Sequence, residues 1–299
     1  MSLRVIDLRV MKVLADSPNI FHVFCLEVNR VFRLISESRE SDWAVLIQPD
    51  HRLIWRGFVL SGLVPVFCDE SEIDRDFVLV ELPPMVGVGS WLIHPFQFIR
   101  YQPSSFYRAM VEQILVRNEC SSTSDELIDI VFIKRLSSRI LLDLDTIKPF
   151  ENLLEKACKD QGLSLRVASF EVMTPFEQIA LMRKARLLVG VHGAGLTNLV
   201  FLKDSAAVLE VDFLKYWSCD PICQDHFSGR IPYQQKCSHA KTYHKADFYN
   251  LAGLFGKNHS SISIDDVRER IDANPISVKY VLINANRLID KCFQLLALG

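Results

Sequence analysis

The residues with the clearest potential for chemistry are His192 and three glycines, Gly190, Gly193 and Gly195. They lie where one apolar segment ends and the next begins. The run RLLVGV (186–191) is followed by HGAG (192–195), and a second apolar run fills 196–202. Glycines at a strand end permit a tight turn and let backbone N–H groups approach a ligand, because no Cβ stands in the way. The N–H groups that open the next helix attract anions such as phosphate. The turn therefore predicts a phosphate site, and a glycine turn that only packs tightly is the alternative.

Two arginines follow an earlier apolar segment. The run LIDIVFIKR (127–135) ends at Arg135, and Arg139 comes four residues later. Guanidinium groups match phosphate oxygens in a bidentate manner. A solvated surface is the alternative for two isolated arginines. The coincidence of these arginines with the glycine turn at one sheet edge favours a diphosphate site.

Strands and helices alternate regularly around these residues. The predicted strands are LIDIVFIKR, LSLRVASF, RLLVGV and AAVLEV, and the predicted helices are KPFENLLEKACKDQG, TPFEQIALMRKA and GLTNLVFLK. Strands that are apolar throughout and alternate with helices predict a parallel sheet covered on both faces. We therefore expect a Rossmann-like domain, in which ligands bind at the carboxyl ends of the strands.

The domain organisation follows from the same patterns. Residues 1–120 predict a mixed α/β domain, and the polar, serine-rich run 119–126 is the best candidate for a linker. Residues 121–260 predict the Rossmann-like domain. Residues 261–299 predict two helices broken at Asn274-Pro275, of which the second packs back on the amino-terminal domain.

Composition limits the partners. The chain has 34 Lys and Arg against 36 Asp and Glu, so no global basic field is present to attract nucleic acid. No apolar window reaches the roughly 18 residues of a membrane span. The 8 cysteines are scattered without a CxxC pair, which argues against a zinc ribbon and for free thiols in the cytosol. A disulfide that clips a turn at CDPIC (219–223) is the alternative. We expect a cytoplasmic protein. A peripheral position at the inner face of the membrane is the alternative.

The run SFEVMTPFEQIALMRKARLLVGVHGAGLTNLVFLKDSAAVLEV (169–211) resembles glycosyltransferase family 61, and we place the chain with its bacterial polysaccharide members. The family's R-x-x-x-R strand end, acidic strand end, EQI helix, GxHGAGLTN turn and strand ending in Glu appear here in order. The resemblance implies a GT-B architecture of two Rossmann-like domains. It also implies an inverting transfer from a nucleotide-diphosphate sugar, with UDP-sugar as the expected donor, to a glycan or other hydroxyl acceptor.

The resemblance also assigns roles to residues. The diphosphate would be held by Arg135, Arg139, His192, Gly193, Ala194, Gly195 and Thr197. For Thr197, a helix-start residue that only stabilises the backbone is an equal alternative. Glu210 would hold a ribose hydroxyl and Glu171 would approach the nucleoside base, with a strand-end cap or surface pairing as the alternative for both. Asn198 is interpreted as a residue that only stabilises the backbone.

The catalytic base is expected on an amino-terminal helix, because Asn19-Ile20-Phe21-His22 resembles the family's NYYH helix. Family members often carry an acid four positions after this histidine, whereas here the acid is Glu27, one position later. One position is about 100° around a helix. His22 therefore ranks first as the base and Glu27 second, and a core histidine is the alternative for His22.

Asp143-Leu144-Asp145 looks like a metal-binding DxD, but it lies just before a helix, where aspartates act as caps. We reject it as a metal site and expect neither a metal nor another cofactor. Two rival functions remain. The first is a degenerate relative that binds nucleotide sugars or acts as a scaffold. The second is a dinucleotide oxidoreductase, which is weak because GxGxxG should follow the first strand. The sequence leaves the oligomeric state open.

Overall fold

The computed structural model describes residues 2–9, 31–32, 34–35, 38, 42–51, 55–80, 104–120, 126–212, 247–271 and 277–298. The chain divides into two compact units. The first unit comprises Met1–Ser122 and Thr174–Phe176, and the second comprises Thr123–Met173 and Glu177–Gly299. Most of the predicted linker, residues 121–125, lies outside the described residues.

The first unit contains a parallel four-stranded sheet in the order β3-β2-β1-β4. Its strands are β1 (Leu3–Asp7), β2 (Trp43–Leu46), β3 (Val66–Phe67) and β4 (Phe77–Val80), and its helices are α1 (Trp55–Ser61) and α2 (Ser104–Arg117). The core of the sheet is formed by Leu3, Val5, Ala44 and Leu46, which are buried. The mixed α/β structure predicted for this part of the chain is confirmed.

The second unit is built on a parallel five-stranded sheet. Its strands are β5 (Ile128–Ile133), β7 (Leu165–Ala168), β8 (Ala185–Val191), β9 (Ala207–Asp212) and β10 (Asn258–Ser263), in the order β10-β9-β8-β5-β7. Its helices are α3 (Phe150–Asp160), α4 (Pro175–Met182, assigned to this unit from Glu177 onward) and α5 (Asp247–Phe255), with a 3-10 helix at Ala194–Phe201. The predicted parallel α/β sheet is confirmed. Its order is that of a doubly wound fold, with the topological switch point between β5 and β8.

A smaller sheet completes the second unit. It contains β6 (Ile140–Asp143), β11 (Asp266–Arg270) and β12 (Val278–Ile283) in the order β11-β12-β6. The pair β12 and β6 is parallel, whereas β11 runs antiparallel to β12. The final helix, α6 (Ala285–Leu298), follows β12 directly.

The secondary structure predicted for the carboxyl-terminal tail was wrong in its first part, whereas the expected final helix is present. The first expected helix is replaced by β10 and β11, and the segment before α6 is the strand β12. Strand pairing explains the difference, because β10 extends the large sheet beside β9 and β12 joins β6. Leu288, Ile289 and Cys292 of helix α6 are buried in the core of the second unit.

Two further facts bear on the composition-based expectations. Cys68, Cys120, Cys158 and Cys292 are free thiols. Within the part of the chain that the structure describes, no helix combines the length and the apolar character needed to cross a lipid bilayer.

Candidate functional site

The candidate site lies at the carboxyl ends of β5 and β8, at the topological switch point of the large sheet. The two strands are hydrogen-bonded neighbours, and Ile133 at the end of β5 pairs with Gly190 near the end of β8. In open α/β sheets, ligands bind in the crevice outside the strand ends at such a point. The chain that leaves β5 carries Arg135 and Arg139, and the chain that leaves β8 carries the HGAG turn.

Both arginine side chains converge on Gly193. A Cβ atom placed on Gly193 would lie 3.1 Å from Nη1 of Arg139 and 3.3 Å from Nη1 of Arg135. Nη1 of Arg139 also donates a hydrogen bond of 2.8 Å to the backbone carbonyl oxygen of His192. The structure therefore brings together the two predicted arginines and the predicted turn, and Gly193 provides the space in which the guanidinium groups lie.

The electrostatics of these arginines favour an anion. Burial of the Arg139 guanidinium and the positive charge of Arg135 lower the pKa of Arg139 to about 10. Arg139 is still protonated at neutral pH, but its charge is partly stripped of water and lies beside a like charge. A negatively charged group stabilises such a pair, because the attraction between opposite charges is stronger where the local dielectric constant is low.

Glu171 contacts Arg135. Its Oε1 lies 3.0 Å from Nε of Arg135, and its Oε2 accepts a hydrogen bond of 2.9 Å from the backbone N–H of Leu136. Glu171 belongs to the short 3-10 turn Phe170–Val172 that follows β7. The carboxylate thus fixes the loop that carries Arg135, as in the surface-pairing alternative.

The other two glycines of the motif face the sheet interior. A Cβ on Gly190 would lie 3.3 Å from Cβ of Ile133, and one on Gly195 would lie 3.5 Å from Cδ1 of the same residue. Gly190 therefore permits close packing against the end of β5, whereas a Cβ on Gly195 would make only an ordinary contact. Ala194 opens the 3-10 helix, and Thr197 is fully buried within it. Within the described residues, the Thr197 hydroxyl has no hydrogen-bond partner.

The glutamine of the EQI helix organises the surrounding loops. Nε2 of Gln178 donates hydrogen bonds of 3.0 Å to the carbonyl oxygens of Phe170 and Met173. Its Oε1 accepts a hydrogen bond of 3.0 Å from Nδ2 of Asn198. Gln178 therefore ties the 3-10 helix to the turn that carries Glu171, and Asn198 makes a contact that stabilises structure.

The imidazole of His192 contacts a buried carboxylate, that of Glu210. Nδ1 of His192 forms a short contact with Oε1 of Glu210, and Oε2 of Glu210 lies 2.8 Å from Nε2 of His259. The ring of Phe248 packs edge-to-face against His192 at a centroid distance of 5.0 Å. We call His192, Glu210 and His259 the His–Glu–His array.

The array explains why the pKa of the buried Glu210 carboxyl is lowered. Its side chain is 2% exposed, and burial alone would raise its pKa, but the hydrogen bonds and charges of His192 and His259 hold the pKa of Glu210 below its usual range. Each carboxylate oxygen contacts one imidazole, and the role of Glu210 toward a ribose hydroxyl stays a prediction. The sequence analysis missed His259, which lies in a polar segment that no motif marked.

The aspartates of the DLD segment have structural partners. Oδ1 of Asp143 accepts a hydrogen bond of 3.0 Å from the N–H of Ala285, at the start of α6. Oδ2 accepts from the N–H and the hydroxyl of Thr146 at 2.9 and 2.7 Å. Asp145 accepts a bond of 3.2 Å from Asn284. Asp143 thus caps a helix and a turn.

The two candidate bases, His22 and Glu27, lie outside the described residues. Their assignment stays a prediction.

Comparison with protein families matches residues 65–209 to the family described as Glycosyltransferase 61. The matched segment includes β5, the arginine loop, β8 and the HGAG turn. Comparison with curated proteins finds no significant match. The family match supports the resemblance seen in the sequence and indicates glycosyltransferase activity, and the α/β architecture with parallel sheets is consistent with a GT-B-like fold.

Proposed function

We propose that the protein is an inverting glycosyltransferase that moves a hexosyl or pentosyl group from a UDP-sugar to a hydroxyl of a glycan acceptor, in cytoplasmic polysaccharide biosynthesis. The observation that carries the proposal is the convergence of Arg135 and Arg139 on Gly193 at the switch point of a doubly wound sheet. A cationic pair at that place suits a diphosphate, and the family match to residues 65–209 supports the proposal that the diphosphate is a leaving group.

In the reaction, the acceptor oxygen forms a bond to the anomeric carbon while the bond from that carbon to the diphosphate oxygen breaks. The electron pair leaves with the diphosphate, and the acceptor proton passes to a general base. Arg135 and Arg139 stabilise the negative charge that develops on the diphosphate. We assign the base to His22 first and to Glu27 second.

The positive charge of the arginines takes the part that a divalent cation plays in DxD enzymes, and Asp143 is engaged as a cap. We therefore propose transfer without a metal ion. His192, Ala194, Gly195 and Thr197 complete the proposed donor site around the turn.

The second candidate function is binding of a nucleotide sugar without turnover. The displaced acid favours it, because Glu27 stands one position away from the family's usual place. Both candidates require the diphosphate site, and only a measurement of transfer separates them.

The test is calorimetry with UDP. Arg135→Ala should weaken binding by about 1.5–3 kcal/mol, or roughly 10- to 150-fold, because it removes a hydrogen bond to a charged group. Arg166→Ala is the matched control, since Arg166 is an exposed arginine on β7 of the same sheet. Equal UDP affinity for wild type and Arg135→Ala would show that the diphosphate binds elsewhere.

A further inference from the structure

The His–Glu–His array is built by the register of three neighbouring strands. Glu210 on β9 pairs with Gly190 on β8 and with Ser261 on β10. Side chains alternate between the two faces of a sheet, so residues two positions away lie on the same face. His192 follows Gly190 by two positions, and His259 precedes Ser261 by two. Both histidines therefore approach Glu210 from the same face, one from each neighbouring strand.

The array is almost sealed from water. The side chains of His192 and His259 are 9% and 6% exposed, and that of Glu210 is 2% exposed. A buried carboxylate is costly unless donors satisfy its oxygens. Here each oxygen faces one imidazole nitrogen, so the loss of either histidine leaves one side of the carboxylate without its donor.

We propose that His259 is a positioning residue of the diphosphate site, which acts through Glu210 to fix the His192 imidazole. The proposal rests on the proposed function. An ionised carboxylate only accepts hydrogen bonds, so the contact between Glu210 and Nδ1 of His192 requires a hydrogen on Nδ1. The orientation and the Nδ1–H state of the ring are thus set by Glu210, and His259 holds Glu210 from the other side.

The array connects to the arginines through the backbone of His192. The ring is held by Glu210, and the carbonyl oxygen of the same residue accepts the hydrogen bond from Arg139. Gly193, on which both guanidinium groups converge, is the next residue. Fixing the ring therefore fixes the peptide that leads into the site. His259 lies on β10, beyond the segment that matches the family.

The test compares three replacements of His259 by calorimetry with UDP. The amide of Gln can stand where Nε2 of the histidine donates, whereas Leu offers no donor and the amide of Asn is too short. We expect His259→Leu and His259→Asn to bind UDP about five- to twentyfold more weakly, the effect of one lost hydrogen bond, and His259→Gln to stay within about twofold of wild type. Ser263→Ala, an exposed change on the same strand, is the control.

A double-mutant cycle separates positioning from general damage. In a His192→Ala background, His259→Leu should change UDP affinity by less than about twofold, because residues that act through one another are not additive. If the two losses instead add fully, His259 acts independently of His192 and the proposal is overturned. His259→Asn serves in the cycle if the leucine variant does not fold.

Nitrogen NMR of the unliganded protein gives a readout that does not depend on the proposed function. We expect a proton on Nδ1 of His192 in wild type and His259→Gln, and a change in that signal in His259→Asn. An unchanged His192 signal in His259→Asn overturns the positioning role. Failure of wild type to bind UDP, with the NMR result as expected, would contradict the proposed function alone.

Discussion

Arg139 donates a hydrogen bond of 2.8 Å to the backbone carbonyl oxygen of His192. The bond joins the loop that leaves β5 to the chain that leaves β8, at the switch point of the sheet. Arg139 itself adopts a left-handed backbone conformation with φ of 56°, which is uncommon for a residue with a side chain. The guanidinium group is thus held beside Gly193 before any ligand binds, and such preorganised charge is the most effective kind.

We predict that Gly193→Ala weakens UDP binding without much loss of stability. The new Cβ would lie 3.1 Å from Nη1 of Arg139 and 3.3 Å from Nη1 of Arg135, and these flexible ends must move away. We expect UDP affinity to fall about tenfold, the size of one lost charged hydrogen bond. Calorimetry measures the affinity, and thermal unfolding should show a change below about 1 kcal/mol.

Gly190→Ala is the matched comparison. Its new Cβ would lie 3.3 Å from both Cβ and Cδ1 of Ile133, inside a packed layer. Overpacking of this kind costs about 1–3 kcal/mol in the free energy of unfolding. Gly193→Ala should therefore lose UDP affinity, whereas Gly190→Ala should lose stability. The interpretation of Gly193 fails if its variant behaves like Gly190→Ala.

Chelation should leave donor binding intact. UDP affinity measured after dialysis against EDTA should equal the untreated value, and transfer should continue once a donor and acceptor pair is found. The reason is that Arg135 and Arg139 supply the positive charge at the diphosphate. Activity that vanishes with EDTA and returns with manganese would contradict metal-independent transfer and reopen the roles of Asp143 and Asp145.

Asp143→Asn should destabilise the protein in a pH-dependent way. Burial alone would raise the pKa of Asp143, but hydrogen bonds from Thr146 and from the N–H of Ala285 hold it below its usual range. A carboxylate with a depressed folded-state pKa stabilises the fold above its unfolded pKa, near 3.8, and loses that contribution as the pH falls through the folded value. We expect a loss of about 1–3 kcal/mol at pH 7.

Urea unfolding at several pH values checks this expectation. The difference between wild type and Asp143→Asn should be full at neutral pH and should shrink below about pH 4. Asp145→Asn is the control, because the Asp145 side chain is exposed and accepts one bond of 3.2 Å from Asn284. If the difference in the free energy of unfolding between wild type and Asp143→Asn does not depend on pH, Asp143 does not act as an ionised cap.

Replacement of the catalytic base should slow turnover strongly but leave donor binding intact. Removal of a general base typically costs about 10²–10⁴-fold in rate. We expect this loss in His22→Ala, and in Glu27→Ala if the helix is distorted enough to bring the acid to the reacting hydroxyl. UDP affinity serves as the folding control. Near-full turnover in both variants would place the base elsewhere.

The sequence was most informative where packing and local pattern agree. Strands β5, β8 and β9 are mostly buried and mostly apolar, so their pattern predicts them directly. The joint position of Arg135, Arg139 and Gly193 followed from parallel topology, because the ends of parallel strands share one edge. The 3-10 helix after the turn was predicted as a short helix at the same place.

The sequence failed where tertiary pairing decides the structure. Strand β11 reads DVRER, which suits a helix, and its residues are mostly exposed, so only the antiparallel ladder with β12 makes it a strand. Strand β12 is separated from α6 by the single residue Asn284, with no glycine or proline to mark the end of the strand. His259 could have been found only from the register of β10 against β9, since two histidines on strands that flank a buried acid are not adjacent in sequence.

The pairing of β6 with β12 has a consequence for synthesis of the protein. Ile140 pairs with Tyr280 and Asp143 with Ile283, so the smaller sheet joins segments made far apart in time on the ribosome. Until β12 and α6 emerge, Phe150 and Leu154 of α3 have no apolar cover from Leu288 and Cys292. The nascent second unit therefore exposes apolar surface, and its core is completed only after β12 and α6 have been synthesised.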